Sequence, residues 1–158
     1  MSIDSILVTI QNSAIAHAIS KSDHMVAASL QVVHVLGFIA LLAALVLISL
    51  RLLNLVLVEQ ALADVTRDAN RLLYIGLALT VASGVLMFVA TPRLYYYKFA
   101  FELKMVLFVS AIIIQFALLR RVAASEAPPK PALARTAVAL SLVAWFGIGL
   151  AGRMIGFT

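Results

Sequence analysis

One histidine stands inside an otherwise apolar stretch, and it is the residue whose type and place most suggest chemistry. His34 lies in a run from Met25 to Leu50 that carries no Asp, Glu, Lys or Arg. An ionisable group within a membrane span is costly and marks a functional hypothesis. Ten residues separate it from His24, which puts it about 15 Å along a helix from that end. Gly37 follows on nearly the same face and leaves room beside the imidazole. A neutral imidazole next to a flat groove is what an axial haem ligand needs. The plainer alternative is a histidine hydrogen-bonded to a neighbouring helix, through Gln115 or a backbone carbonyl.

The other two histidines are less placed. His24 opens the run, where water is available, and reads as solvated or as a ligand. His17 falls on the apolar side of the N-terminal segment and reaches the cavity only if that segment folds across the bundle mouth. His24 and His34 cannot share one iron from one straight helix, because they are about 15 Å apart in rise and about 80° apart in direction. A two-ligand iron site therefore needs His17, a second copy of the chain or a non-histidine ligand.

Other residues carry weaker chemistry. Met25, Met87, Met105 and Met154 fall near one boundary, one on each apolar stretch. Thioethers there suit Cu(I), with His24 beside them, or an axial position on haem. They equally suit gap-filling in packed helices. Arg93, Lys98, Lys104 and Arg153 interleave at the same boundary with Tyr95, Tyr96 and Tyr97. They read as snorkelling cations in an aromatic belt, or as partners for the two carboxylates of a haem. Trp145, Gly149, Gly152 and Gly156 leave one helix face nearly bare. Close helix packing explains that face, as does a cofactor edge lying against it. Gly76 and Gly84 repeat the signature two turns apart.

The elements that hold these residues follow from composition. The chain has 158 residues, 64% hydrophobic and 12% charged, with mean hydropathy +1.09. A soluble domain carries roughly 45–50% apolar residues, so soluble enzyme, disordered chain and fibrous protein are excluded. There is no cysteine, which excludes disulfides, iron–sulfur clusters and thiol catalysis. The net charge of +5 reads as loop charge facing membrane surfaces, with no nucleic-acid partner.

A membrane helix needs about 20 mostly apolar residues. Four spans answer to this, at about residues 25–50, 72–90, 99–119 and 136–157. Pro128, Pro129 and Pro131 interrupt any helix between the last two. Basic residues number seven in the loops after spans one and three, against five on the opposite side. The positive-inside rule then turns both termini outward. Residues 1–24 begin without the basic stretch of a secretory signal. Ile3, Ile6, Leu7, Ile10, Ala14 and His17 recur there at helical spacing, which predicts a short amphipathic helix at the outer interface. Ser20 to Asp23 supply a turn and an N-cap for span one. The expected fold is all-α, a single-domain integral membrane four-helix bundle over 1–158 preceded by that interfacial helix.

Several stretches resemble an uncharacterised bacterial four-helix membrane family. They are His34-Val35-Leu36-Gly37, Ser49-Leu50-Arg51-Leu52-Leu53, and Ser83-Gly84-Val85-Leu86-Met87-Phe88 followed by Tyr97, Phe101 and Lys104, with Trp145 through Gly152-Arg153 at the end. That family is distantly similar to the copper-resistance D membrane proteins and to the HemJ-type protoporphyrinogen oxidases. The latter carry haem b and use a first-helix histidine with a later lysine, and His34 and Lys104 occupy comparable places. The long HemJ first-span motif, with its tryptophan, Tyr-Leu-Pro-Arg run and second histidine, is absent. The resemblance implies a protein of the bacterial inner membrane and supports His34, but not His17 or His24.

Three readings follow. The first is a haem-b-binding electron-transfer protein, the membrane subunit of a larger complex, with His34, Gly37, Lys104, Trp145 and Arg153 about the cofactor and His34 and His17 as metal ligands. The second is copper handling through His24 and the four methionines. The third is a cofactor-free structural subunit that meets a protein partner, or a second copy of itself, through the glycine face of span four.

Overall fold

The structure is a computed structural model, and it describes residues 2–21, 24–119 and 131–157. It is all-α, with no strand among the described residues. Two short helices come first, α1 (Ile3–Gln11) and α2 (Ala14–Lys21). Then follow α3 (His24–Leu52), α4 (Leu62–Ala90), the short α5 (Pro92–Tyr96), α6 (Phe99–Ile114) with a π turn over Gln115–Leu119, and α7 (Pro131–Met154). Met25–Leu52, Leu62–Ala90, Phe99–Ala117 and Pro131–Met154 are each long and apolar enough to cross a bilayer. The chain is a multi-pass membrane protein with four spans.

Two boundaries differ from the sequence expectation for physical reasons. The second helix begins ten residues early, at Leu62 rather than 72. Its first turns are charged, and Arg67 pairs with Asp64 at 3.1 Å. Val65, Thr66, Ala69 and Leu73 still turn one buried face inward. Hydropathy misses such a stretch, whereas helical phase keeps it. The fourth helix starts at Pro131, because proline has the right φ for a first helical position and needs no donor there. The proline-containing segment 120–130 lies outside the described residues.

The N-terminal segment is two helices, not one. Asn12 and Ser13 break it, and the Ser13 hydroxyl accepts the Ala16 N–H at 3.2 Å to start α2 afresh. The break resets the helical phase. Leu7 and Ala16 are the buried residues, while His17 is exposed. The expected stripe through His17 therefore does not form, and His17 does not enter the bundle. The N-cap expected at Ser22 and Asp23 lies outside the described residues.

The four long helices pair as two hairpins, α3 with α4 and α6 with α7. Close backbone approach is concentrated within each hairpin, and between them α3 meets α7 over a shorter stretch. The α3–α4 crossing is tight because Gly37 faces Gly76. A Cβ on Gly76 would stand 2.6 Å from Gly37 O and from Leu41 N. Small residues at the contact are how membrane helices gain packing, since lipid offers no hydrophobic drive. The apolar core, which includes Leu41, Leu45, Ile48, Leu73, Ala111, Val138 and Ile148, runs from the end of the bundle away from the chain termini up to the level of Trp145 and Ile148. The half nearer the termini holds His34, Thr80, Ser83 and Lys104, while Ser49, Arg51, Thr66, Gln115 and Ser141 are buried in the other half.

Candidate functional site in the seam between the hairpins

His34, in the second turn before Leu41, points from α3 toward the other helices. Its Nδ1 is 3.1 Å from Ser83 Oγ on α4. Ser83 has one hydroxyl proton, and it donates to Leu79 O at 2.5 Å, with Thr80 O at 3.2 Å also in reach. At Nδ1 the serine oxygen therefore accepts, and the imidazole carries its proton on Nδ1. This assigns the lone pair to Nε2.

Lys104 on α6 occupies the other side of the ring. Its Nζ lies 3.4 Å from His34 Nε2, longer than a typical hydrogen bond, and donates to that lone pair. The lysine stem rests on Gly152 of α7, where a Cβ would be 3.4 Å from Nζ and 3.6 Å from Cε. Two glycines thus define the layer. Gly84 lets the imidazole approach α4, since a Cβ there would be 2.9 Å from Cε1. Gly152 lets the lysine lie flat against α7.

An aromatic layer follows one turn deeper. Trp145 is 1% exposed and packs against Phe38 and Phe108, with ring centroids 6.4 and 6.2 Å away. Gly149 admits the Phe38 ring, which would stand 3.1 Å from a Cβ there. The indole N–H of Trp145 is buried without an acceptor. Deeper still, Gln115 accepts from Ser141 at 3.3 Å, so Gln115 serves α7 and is not the partner of His34.

Residues 7–158 match the model of a family of unknown function, DUF6644. The chain belongs to this family. No curated protein and no solved structure matches it.

Of the residues singled out in the sequence of this DUF6644 member, the structure gathers His34, Lys104 and Gly84 with Gly152, and sets Trp145 and Gly149 beneath them. Gly37 serves the α3–α4 crossing and does not flank the imidazole. Lys104 faces His34 and is not a boundary cation. Arg153 is exposed at the end of α7, with its guanidinium 5.1 Å from the Phe157 ring centroid. Lys98 donates to Ile155 O at 2.8 Å. Met25, Met105 and Met154 are exposed on the outside of the bundle. Gly149 and Gly152 are used within the chain, so the glycine face does not look outward. Among the described residues no three His, Asp or Glu side chains come together.

Ser83 is the site residue that sequence reasoning missed. Gly76, Thr80 and Ser83 follow one another at helical spacing, and that phase marks the face of α4 turned to α3. Lys104 carried a similar signal, since Phe108, Ala111 and Gln115 follow it at four, seven and eleven residues.

Proposed function

We propose that this protein holds haem b in the seam between its two hairpins and transfers electrons as the membrane subunit of a larger complex. In this reading it sits in the bacterial cell membrane with both termini outward. One observation carries it: His34 Nε2 and Lys104 Nζ, from opposite hairpins, face each other at 3.4 Å. Each is a nitrogen donor, the lysine once neutral, and a metal held by both would lie between the hairpins. Both are nitrogen donors that a haem iron could take, and they would hold it without His17 or a second chain.

When bound, haem supplies one-electron chemistry at its iron. The chain's own residues do the rest. Ser83 holds the Nδ1 proton, which fixes the tautomer and orients the ring, as partners of metal-bound histidines do. Gly84 sets how near the ring lies to α4. Trp145, Phe38 and Phe108 exclude water from below. Arg153, exposed at the same end, suits a carboxylate at the water boundary.

Protein purified from haem-replete cells should show a Soret band, with sharp α and β bands on reduction. His34→Ala should insert normally and lose most of the pigment, because no other side chain in that dry layer replaces an imidazole. A colourless preparation overturns the reading and leaves the Lys104–His34–Ser83 chain as a polar contact that joins the hairpins.

A further inference from the structure

We infer that the loop between α3 and α4, residues 53–61, is a preformed knob that docks into an apolar, basic-edged pocket of a water-soluble protein subunit. Its depth comes from the register of the helices. His34 lies against Gly84 and beside Lys104, whose stem rests on Gly152. Counted from that layer, Arg51 on α3, Arg67 on α4 and Arg135 on α7 each lie 17 residues toward the opposite end of the bundle. At 1.5 Å per residue they share one level, about 25 Å from the imidazole. Arg67 and Arg135 are exposed there, as basic residues are at a membrane boundary. Since α3 runs on to Leu52 and α4 begins at Leu62, the loop joins them beyond that level. It nevertheless exposes Leu55 and Val58 at 64% and 58%, with Leu57 between them. An exposed apolar patch rimmed by polar residues marks an interaction site.

The shape of the loop is held in place. Arg51 is buried, and its guanidinium donates to Asn54 Oδ1 at 2.9 Å and to Gln60 O at 2.6 Å, which ties the two ends of the loop together. Asn54 and Leu57 stand at φ 56° and 51°, a region that a leucine rarely adopts. Strained positions persist where their surroundings over-determine them, and they gather at functional sites. A rigid loop also loses little freedom on docking. Charge decides between lipid and protein. Apolar segments that enter a lipid surface turn Lys and Arg toward its anionic headgroups. Here the exposed charges from Leu52 to Asn70 are Glu59, Asp64, Arg67 and Asp68, and Arg67 is paired with both aspartates. An acidic rim on a chain of net charge +5 is repelled by such headgroups and complements a basic surface. A second copy would bring the same acidic rim, and like rims repel.

Docking rests on the membrane-subunit part of the proposed function and not on haem. The chain has no cysteine, so Leu55→Cys gives a single site for a nitroxide label. In vesicles of phosphatidylcholine and phosphatidylglycerol, that label should meet a water-soluble nickel chelate severalfold more often than a label at Leu36→Cys, an exposed position within the first span. A Leu55 label that meets oxygen rather than nickel, as at Leu36, puts the loop in lipid and overturns the inference. Spin–spin broadening that unlabelled protein relieves puts a second copy there and overturns it too. The partner is sought in cells with photoreactive benzoylphenylalanine at Val58. The protein found in the adduct is then produced and titrated against the purified chain in the same vesicles. Saturable binding is expected. Leu55→Ser should raise the half-saturating concentration about tenfold, and Glu59→Lys should slow association severalfold. Binding that neither substitution alters overturns the inference, as does the lack of any protein adduct. A pigmented protein with no docking overturns the knob alone. A colourless protein that docks overturns the haem assignment alone.

Discussion

The imidazole of His34 lies directly against the backbone of Gly84, so that a methyl group on that glycine would stand 2.9 Å from Cε1. The contact is between ring and main chain, and neither is the free end of a flexible side chain. The direction of the His34 ring is thus set by a missing side chain on the neighbouring helix.

Gly84→Ala should accordingly turn the ring or push α3 from α4. Overpacking of this kind costs about 1–3 kcal/mol, so thermal unfolding in detergent should move to lower temperature. The pigment should be retained with a shifted reduced spectrum. An unchanged spectrum and melting curve would mean that the ring is not held by this contact.

Ser83→Ala removes the acceptor for the Nδ1 proton while leaving the ring in place. Losing the partner of a metal-bound histidine typically costs 10–100-fold in affinity. Haem titration into the depleted protein should show a loss in that range, against near-complete loss for His34→Ala. Equal affinity in Ser83→Ala and wild type would refute the tautomer assigned to His34.

Gly76→Ala tests the α3–α4 crossing independently of any cofactor. Its new methyl would meet backbone at 2.6 Å on two sides, and backbone cannot rotate away. Stability should fall more than for Gly152→Ala, where the neighbour is the Lys104 amine at 3.4 Å. Unfolding of both variants in graded denaturing detergent checks the order.

Tyr97 ties α1 to the segment before α6, with its hydroxyl donating to Asp4 at 2.6 Å. That hydrogen bond is the main reason its phenol titrates above the usual tyrosine value, and the Arg93 charge opposes the shift. A folded-state value raised above the unfolded one favours the protonated form. The stabilisation is therefore complete below about pH 10 and is lost as the pH climbs through the higher folded value. Ultraviolet titration should show one tyrosine that ionises late, returning to ordinary behaviour in Asp4→Asn. Proteolysis within residues 2–21 should accelerate over the same alkaline range. No pH response in wild type would show that the contact does not hold α1.

The four spans and the interior position of His34 were legible in the sequence because both depend on what a residue is. Charge-free runs of sufficient length declare a span, and a histidine within one calls for a polar partner, here Ser83 and Lys104. Direction around the helix axis was harder. Lys104 entered beside His34 only through the resemblance and otherwise read as a boundary cation, because its phase with Phe108 and Gln115 was not used. His17 read as facing the bundle because one helical phase was carried across Asn12 and Ser13, where the chain restarts. Arg51 counted only as a loop charge, yet it is buried and its guanidinium binds Asn54 Oδ1 at 2.9 Å and Gln60 O at 2.6 Å. Such a contact depends on the course of a loop, with Asn54 and Leu57 at positive φ, and composition carries no record of it.

The uneven filling of the bundle has an electrical consequence. The apolar layers around Leu41, Leu45 and Ile148 form a low-dielectric slab on one side of His34. The imidazole lies about 15 Å beyond the start of α3, in a hydrocarbon layer about 30 Å thick. A charge arriving at His34 from the terminal side thus crosses roughly half of the membrane voltage. Moving one elementary charge through the whole of it is worth about 2.3 kcal/mol per 100 mV, so each arrival is worth roughly 1 kcal/mol. Occupancy of a charged state at His34 would then follow the membrane potential severalfold per 100 mV, making the buried layer a voltmeter.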